Sequence, residues 1–67
     1  MKKEITFAKA LDQILIGKKV TKGEWNNPEI YGFLQENLLC LHKEDGANYN
    51  WIISQGDISG EDYVVLD

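Results

Sequence analysis

Few side chains in this 67-residue chain have the types and spacing that chemistry requires. Cys40 and His42 stand two apart, so on a strand both point to one side, where a thiolate and its base could pair. A buried small hydrophobe beside an incidental histidine accounts for them more simply. Asp57, Glu61 and Asp62 crowd one short stretch, but the spacing of a hard-metal loop is missing, and a helix cap plus solvated charge explains them. Lys18, Lys19 and Lys22 precede Trp25. An indole at a loop edge can stack on a nucleobase, worth ~1–3 kcal/mol, while neighbouring ammoniums neutralise phosphate. The plainer reading makes Trp25 a core aromatic packed on a helix. Trp51, in mid-strand, reads as core or interface. The motifs of P-loop, zinc and nucleophile-elbow enzymes are missing, and one cysteine with one histidine is no metal framework. The chain reads as a non-enzyme with neither metal nor cofactor.

Gly17 to Trp25 (Gly-Lys-Lys-Val-Thr-Lys-Gly-Glu-Trp) is the stretch around which the elements are arranged. Before it, Thr6 is placed to cap a helix. Phe7, Leu11, Ile14 and Leu15 follow the spacing of one helical face, and Gly17 supplies the left-handed residue that ends it. After it, the pattern changes to strands. The expected strands are Lys19–Lys22, Ile30–Gln35, Leu38–His42, Asn48–Ser54 and Asp62–Leu66. Glu36-Asn37 and Asp45-Gly46 are the expected hairpin turns. A helical turn is expected over Asp57–Glu61, capped by Asp57 or Ser59. The fold expected is α+β: a single domain over residues 1–67, with one N-terminal helix packed on a meandering antiparallel sheet of four to five strands. One helix covers one sheet face, so large side chains on the other face would seek a partner.

A chain this short buries only about 60% of the surface exposed by its unfolded form. One cysteine allows no internal disulfide, so subunit association is the expected support, and a homo-oligomer is predicted. Residues 1–25 hold six lysines against three carboxylates; residues 26–67 hold one lysine against eight. The overall charge of −4 disfavours long nucleic acid but leaves the lysine-rich end open to a small anion. No run of about 18 apolar residues spans a membrane, and no leader pattern follows the basic start Met1-Lys2-Lys3. A lone thiol suits a reducing cytoplasm.

The order of motifs resembles the Thoeris anti-defence two family of small phage and prophage proteins. The first motif is Phe7-Ala8-Lys9-Ala10-Leu11 followed by Gly17-Lys18-Lys19-Val20-Thr21-Lys22-Gly23-Glu24-Trp25. The second runs from Trp51 through Ser54, Asp57, Ile58, Glu61 and Asp62 to Tyr63. Relatives usually carry Arg where Lys22 stands, Trp where Tyr63 stands, and a longer segment between the motifs. The resemblance implies a sponge in the bacterial host cytoplasm. It would sequester a cyclic ADP-ribose-type immune signal without cleaving it, as a homo-oligomer, commonly a tetramer, with pockets at subunit contacts. It implies ligand stacking for Trp25 and a basic contact for Lys22; Asn27, Tyr31 and Asp57 join the candidate site by proximity. Two other functions fit the same pattern. One is a sponge for cyclic oligonucleotides. The other is a small phage structural or adaptor protein that binds a protein partner through its oligomer face.

Overall fold

The computed structural model describes residues 3–66; the basic start at Met1 and Lys2 and the terminal Asp67 lie outside them. The first element, α1 (Phe7–Leu15), starts where expected: the Thr6 hydroxyl accepts the Lys9 N–H at 3.4 Å. It stops at Gly17, whose φ of +97° a side chain would strain. There the Gly17 N–H reaches the Ile14 carbonyl and the Lys18 N–H reaches that of Gln13, each at 3.0 Å. The buried stripe differs from the expected one. Ala10 and Ile14 are fully buried and Phe7 and Leu11 half-buried, whereas Leu15 is exposed. Ala10, with no side chain beyond Cβ, stands with Ile14 at the centre of the buried stripe, and Leu15 falls outside it.

Five antiparallel strands follow: β1 (Lys19–Lys22), β2 (Tyr31–Gln35), β3 (Leu38–His42), β4 (Asn48–Asn50) and β5 (Tyr63–Leu66). Their spatial order is β4-β3-β2-β1-β5. The first four form a meander, and the last crosses to the far edge to pair with β1. Glu36 and Asn37 both take left-handed backbone, with φ of +52° and +66°, the conformation of a tight two-residue hairpin. Asp45-Gly46 turns the next hairpin, with Gly46 at φ +84°.

The fourth strand is shorter than the pattern suggests: it ends at Asn50, and Ile52–Ser54 lie outside any ladder. The Trp51 N–H still reaches the Leu39 carbonyl at 3.1 Å. The chain then leaves the edge to carry the indole over the sheet. A small helix, α2 (Gln55–Ser59), follows. Its cap is Ser54, in place of Asp57 or Ser59. Asp57 is the third helical residue, and it returns a bond to the Ser54 N–H to complete a capping box.

Strand alternation separates two faces. Val20, Gly32, Leu34, Leu39, Leu41, Tyr63 and Val65 face α1 and the crossing segment. Ala10, Ile14, Val20, Trp51 and Tyr63 form the buried cluster there. The indole of Trp51 lies against Gly32, where a Cβ would come within 2.3 Å of the ring. On the opposite face stand Lys19, Thr21, Tyr31, Phe33, Cys40, His42, Val64 and Leu66. Among the described residues, no helix packs there. No helix among them is long and apolar enough to cross a membrane.

Candidate functional site

Lys22, Trp25 and Asp57 gather at one end of the helix-covered face. The end of β1 makes this possible. After Lys22 the chain makes one tight helical turn, Gly23–Trp25. Asp62 fastens that turn: its carbonyl accepts the Gly23 N–H at 2.8 Å and its carboxylate the Glu24 N–H at 2.7 Å. Trp25 follows, half-buried, with its ring edge-on to Trp51 at 5.7 Å. It packs on the other indole at the margin of the core, with part of its surface open to solvent. Trp51 in turn donates its ring N–H to the Asp57 carboxylate at 3.4 Å.

Lys22 takes the position next to Trp25, but its charge is already engaged. Only 4% of the residue is exposed. Its ammonium lies 2.5 Å from the Glu24 carboxylate, 3.7 Å from that of Asp62, and 5.8 Å from the centre of the Tyr63 ring. The hydrogen bond to Glu24 holds its pKa above the usual lysine value, and burial opposes this less strongly. With Glu24, Asp62 and Asp57 around it, carboxylates outnumber the one ammonium. Burial pushes the phenol of Tyr63 above its ordinary range, and its hydroxyl donates to the Asp57 carbonyl at 2.6 Å.

Asn27 and Tyr31 stand apart from that group. The Asn27 amide donates to Glu44 at 2.9 Å, and its side-chain oxygen accepts the Glu29 N–H at 2.9 Å. Asn27 therefore pins the Pro28 loop to the β3–β4 hairpin. Tyr31 lies on the uncovered sheet face, stacked on the His42 ring at 4.7 Å, with the Lys19 ammonium 5.0 Å from its centre. His42 Nδ1 lies 2.7 Å from Asn48 Oδ1. Cys40, two residues back, is buried beside Phe33, its partner across the ladder. The imidazole is thus held by Asn48 and Tyr31.

A second feature sits at the opposite end of β1. Gly17, Lys18, Lys19 and Leu66 line an open cleft of about 450 Å³. Lys19 opens β1 and pairs with Leu66, so a residue near the C-terminal end forms one wall. Sequence reasoning had these lysines as phosphate partners in general but had no means of finding Leu66. The β1–β5 pairing joins segments more than 40 residues apart, and no local pattern announces it.

Among the described residues, no three His, Cys, Asp or Glu side chains are placed to hold a metal ion. No curated protein matches the chain. Residues 5–66 match the sequence signature of the Tad2-like family, described as the Thoeris anti-defense 2-like domain, and the chain belongs to that family.

Proposed function

We propose that the protein acts in Thoeris anti-defence as a sponge, capturing a cyclic ADP-ribose-type signal and releasing it unchanged. The family match over nearly the whole chain carries this reading. Trp25 offers the open part of its indole for stacking on a base, and its contact with Trp51 fixes the ring before a ligand arrives. Asp57 and Asp62 supply acceptors for ribose hydroxyls. Lys22 serves by fixing the Glu24–Trp25 turn, since its ammonium is spent on Glu24. Sequestration needs roughly nanomolar affinity, about −12 kcal/mol. One stacked ring supplies ~1–3 kcal/mol of that, so enclosure by a second subunit completes the site. Two contacts between subunits are proposed in the host cytoplasm: one at the Trp25 end, which encloses the ligand, and one through the uncovered sheet face around Phe33 and Val64.

Calorimetry with cyclic ADP-ribose isomers tests the reading. Tight binding is expected, with intact ligand recovered after denaturation and at least tenfold weaker binding by W25A. Turnover of the ligand, or equal binding by W25A, would overturn it. Sedimentation at micromolar concentration tests association, and a folded monomer would remove it. The same uncovered face favours a second reading, an adaptor for a protein partner. Saturable capture of one protein, with no binding across a panel of cyclic nucleotides, would select it.

A further inference from the structure

We propose that the cleft between the end of α1 and the β1–β5 pair is a second binding site, for a small phosphate-bearing anion held by Lys18 and Lys19. It lies at the other end of β1 from Trp25 and does not rest on the sponge reading. Local charge is the first argument. The chain is acidic overall, yet among the described residues no carboxylate lies within 4.0 Å of the Lys18 or Lys19 ammonium. Lys22, three positions on, has two. An anion repelled by most of the surface is drawn to the place where the sign reverses.

Preorganisation is the second argument. The Lys19 ammonium rests 5.0 Å from the centre of the Tyr31 ring, and that ring is itself stacked on His42 and packed against Phe33. A lysine steadied in this way loses less freedom when it meets a ligand. Shape is the third. Gly17 needs its left-handed backbone, so no side chain stands at that wall, and nothing lies within 4 Å of where its Cβ would be. A volume of about 450 Å³ falls in the range of small-molecule sites. Two lysines in the lining and an apolar wall at Leu66 suit a phosphate or diphosphate carrying a small organic group. Among the described residues, the lining holds no carboxylate of the kind a cationic ligand requires.

The test is an amide NMR titration of the full chain with inorganic pyrophosphate, ionic strength held constant with sodium chloride. Saturable shifts at Gly17, Lys18, Lys19 and Leu66 are expected. K18Q and K19Q should each weaken binding about tenfold, as loss of a charge-assisted contact does, and K18R/K19R should restore it. AMP should shift the same amides and adenosine should not. Equal shifts from sodium chloride alone, or undiminished binding by the K18Q/K19Q double variant, would overturn the site. W25A should keep the pyrophosphate response, so failure here and failure of the sponge reading can be told apart. Both lysines are exposed, and circular dichroism of the variants checks that they fold.

Discussion

Gly32→Ala is the sharpest test of how this core is built. The added methyl carbon would lie 2.3 Å from Cζ3 of Trp51, 2.8 Å from Cε3 and 3.3 Å from Cη2. Ordinary contact begins near 3.4 Å, so the indole must retreat by roughly 1 Å, a misfit of the kind that overpacked cores resist. It has nowhere easy to go. Trp51 is 7% exposed and is bordered by Trp25, Phe7 and Tyr63 at ring separations of 5.7, 6.1 and 6.5 Å. Overpacking of this kind costs about 1–3 kcal/mol, and the tight enclosure puts the figure near the top. Gly32 does not have positive φ, so alanine suits the backbone and returns ~0.4–1 kcal/mol by restricting the unfolded chain. The net loss is about 2 kcal/mol. A chain of this length has roughly 3–10 kcal/mol to lose, and the melting temperature should fall by ~8–16 °C. Urea unfolding followed by tryptophan fluorescence measures this. The decisive comparison is G32A in a W51L background, where the clashing ring atoms are gone. There the substitution should be neutral or slightly stabilising. If G32A costs the same with and without the indole, the contact is not the cause and the packing argument fails.

Alkaline unfolding should begin near pH 10. The folded values of Lys22 and Tyr63 both lie above their ordinary 10.5 and 10.0. Their stabilisation is therefore complete below the unfolded values and is lost as pH rises through the folded ones. Urea midpoints should stay flat from pH 7 to about 9.5 and then drop, less steeply in K22M; an equal drop in K22M would remove Lys22 from the account. At the acid end, the Tyr49 hydroxyl and the Ala47 N–H hold Asp45 below its usual value. Y49F should move the Asp45 titration, followed by carbon NMR, back toward 3.8, and no movement would refute that cause. S54A removes the cap of α2 and should cost about 1 kcal/mol, seen as a melting temperature ~4–8 °C lower.

Local rules made most of the elements legible. Thr6, Gly17, Asp45-Gly46 and the third strand, Leu38–His42, stand where cap, turn and alternation patterns place them. The errors fall where tertiary packing overrides such patterns. Asn48 to Ser54 alternates like one strand, but Trp51 has a partner off the ladder. Gly32, in a different strand, leaves the space against which the indole fits closely. Nothing near Trp51 in sequence reports that space. In the same way Ser54 reads as strand until the chain is known to turn after Trp51, so the sequence pattern offers Asp57 or Ser59 as the cap in place of Ser54.

The candidate site shows why neighbours in sequence are an unreliable guide to neighbours in charge. Lys22 and Trp25 are three residues apart and do come together, yet among the described lysines Lys22 is the buried one, already paired with Glu24. Strand alternation decides this. Val20 and Lys22 point to the covered face, where burial of an ammonium requires a carboxylate, and Glu24 and Asp62 provide it. Lys19 and Tyr31 point to the uncovered face, where water replaces that need and the ammonium rests on an aromatic ring instead. Parity thus divides the two lysines of β1 into a structural cation, Lys22, and an accessible one, Lys19. An insertion of one residue between Val20 and Thr21 would turn Lys22 to the uncovered face and put Thr21 in its place, leaving Glu24 and Asp62 without their cation.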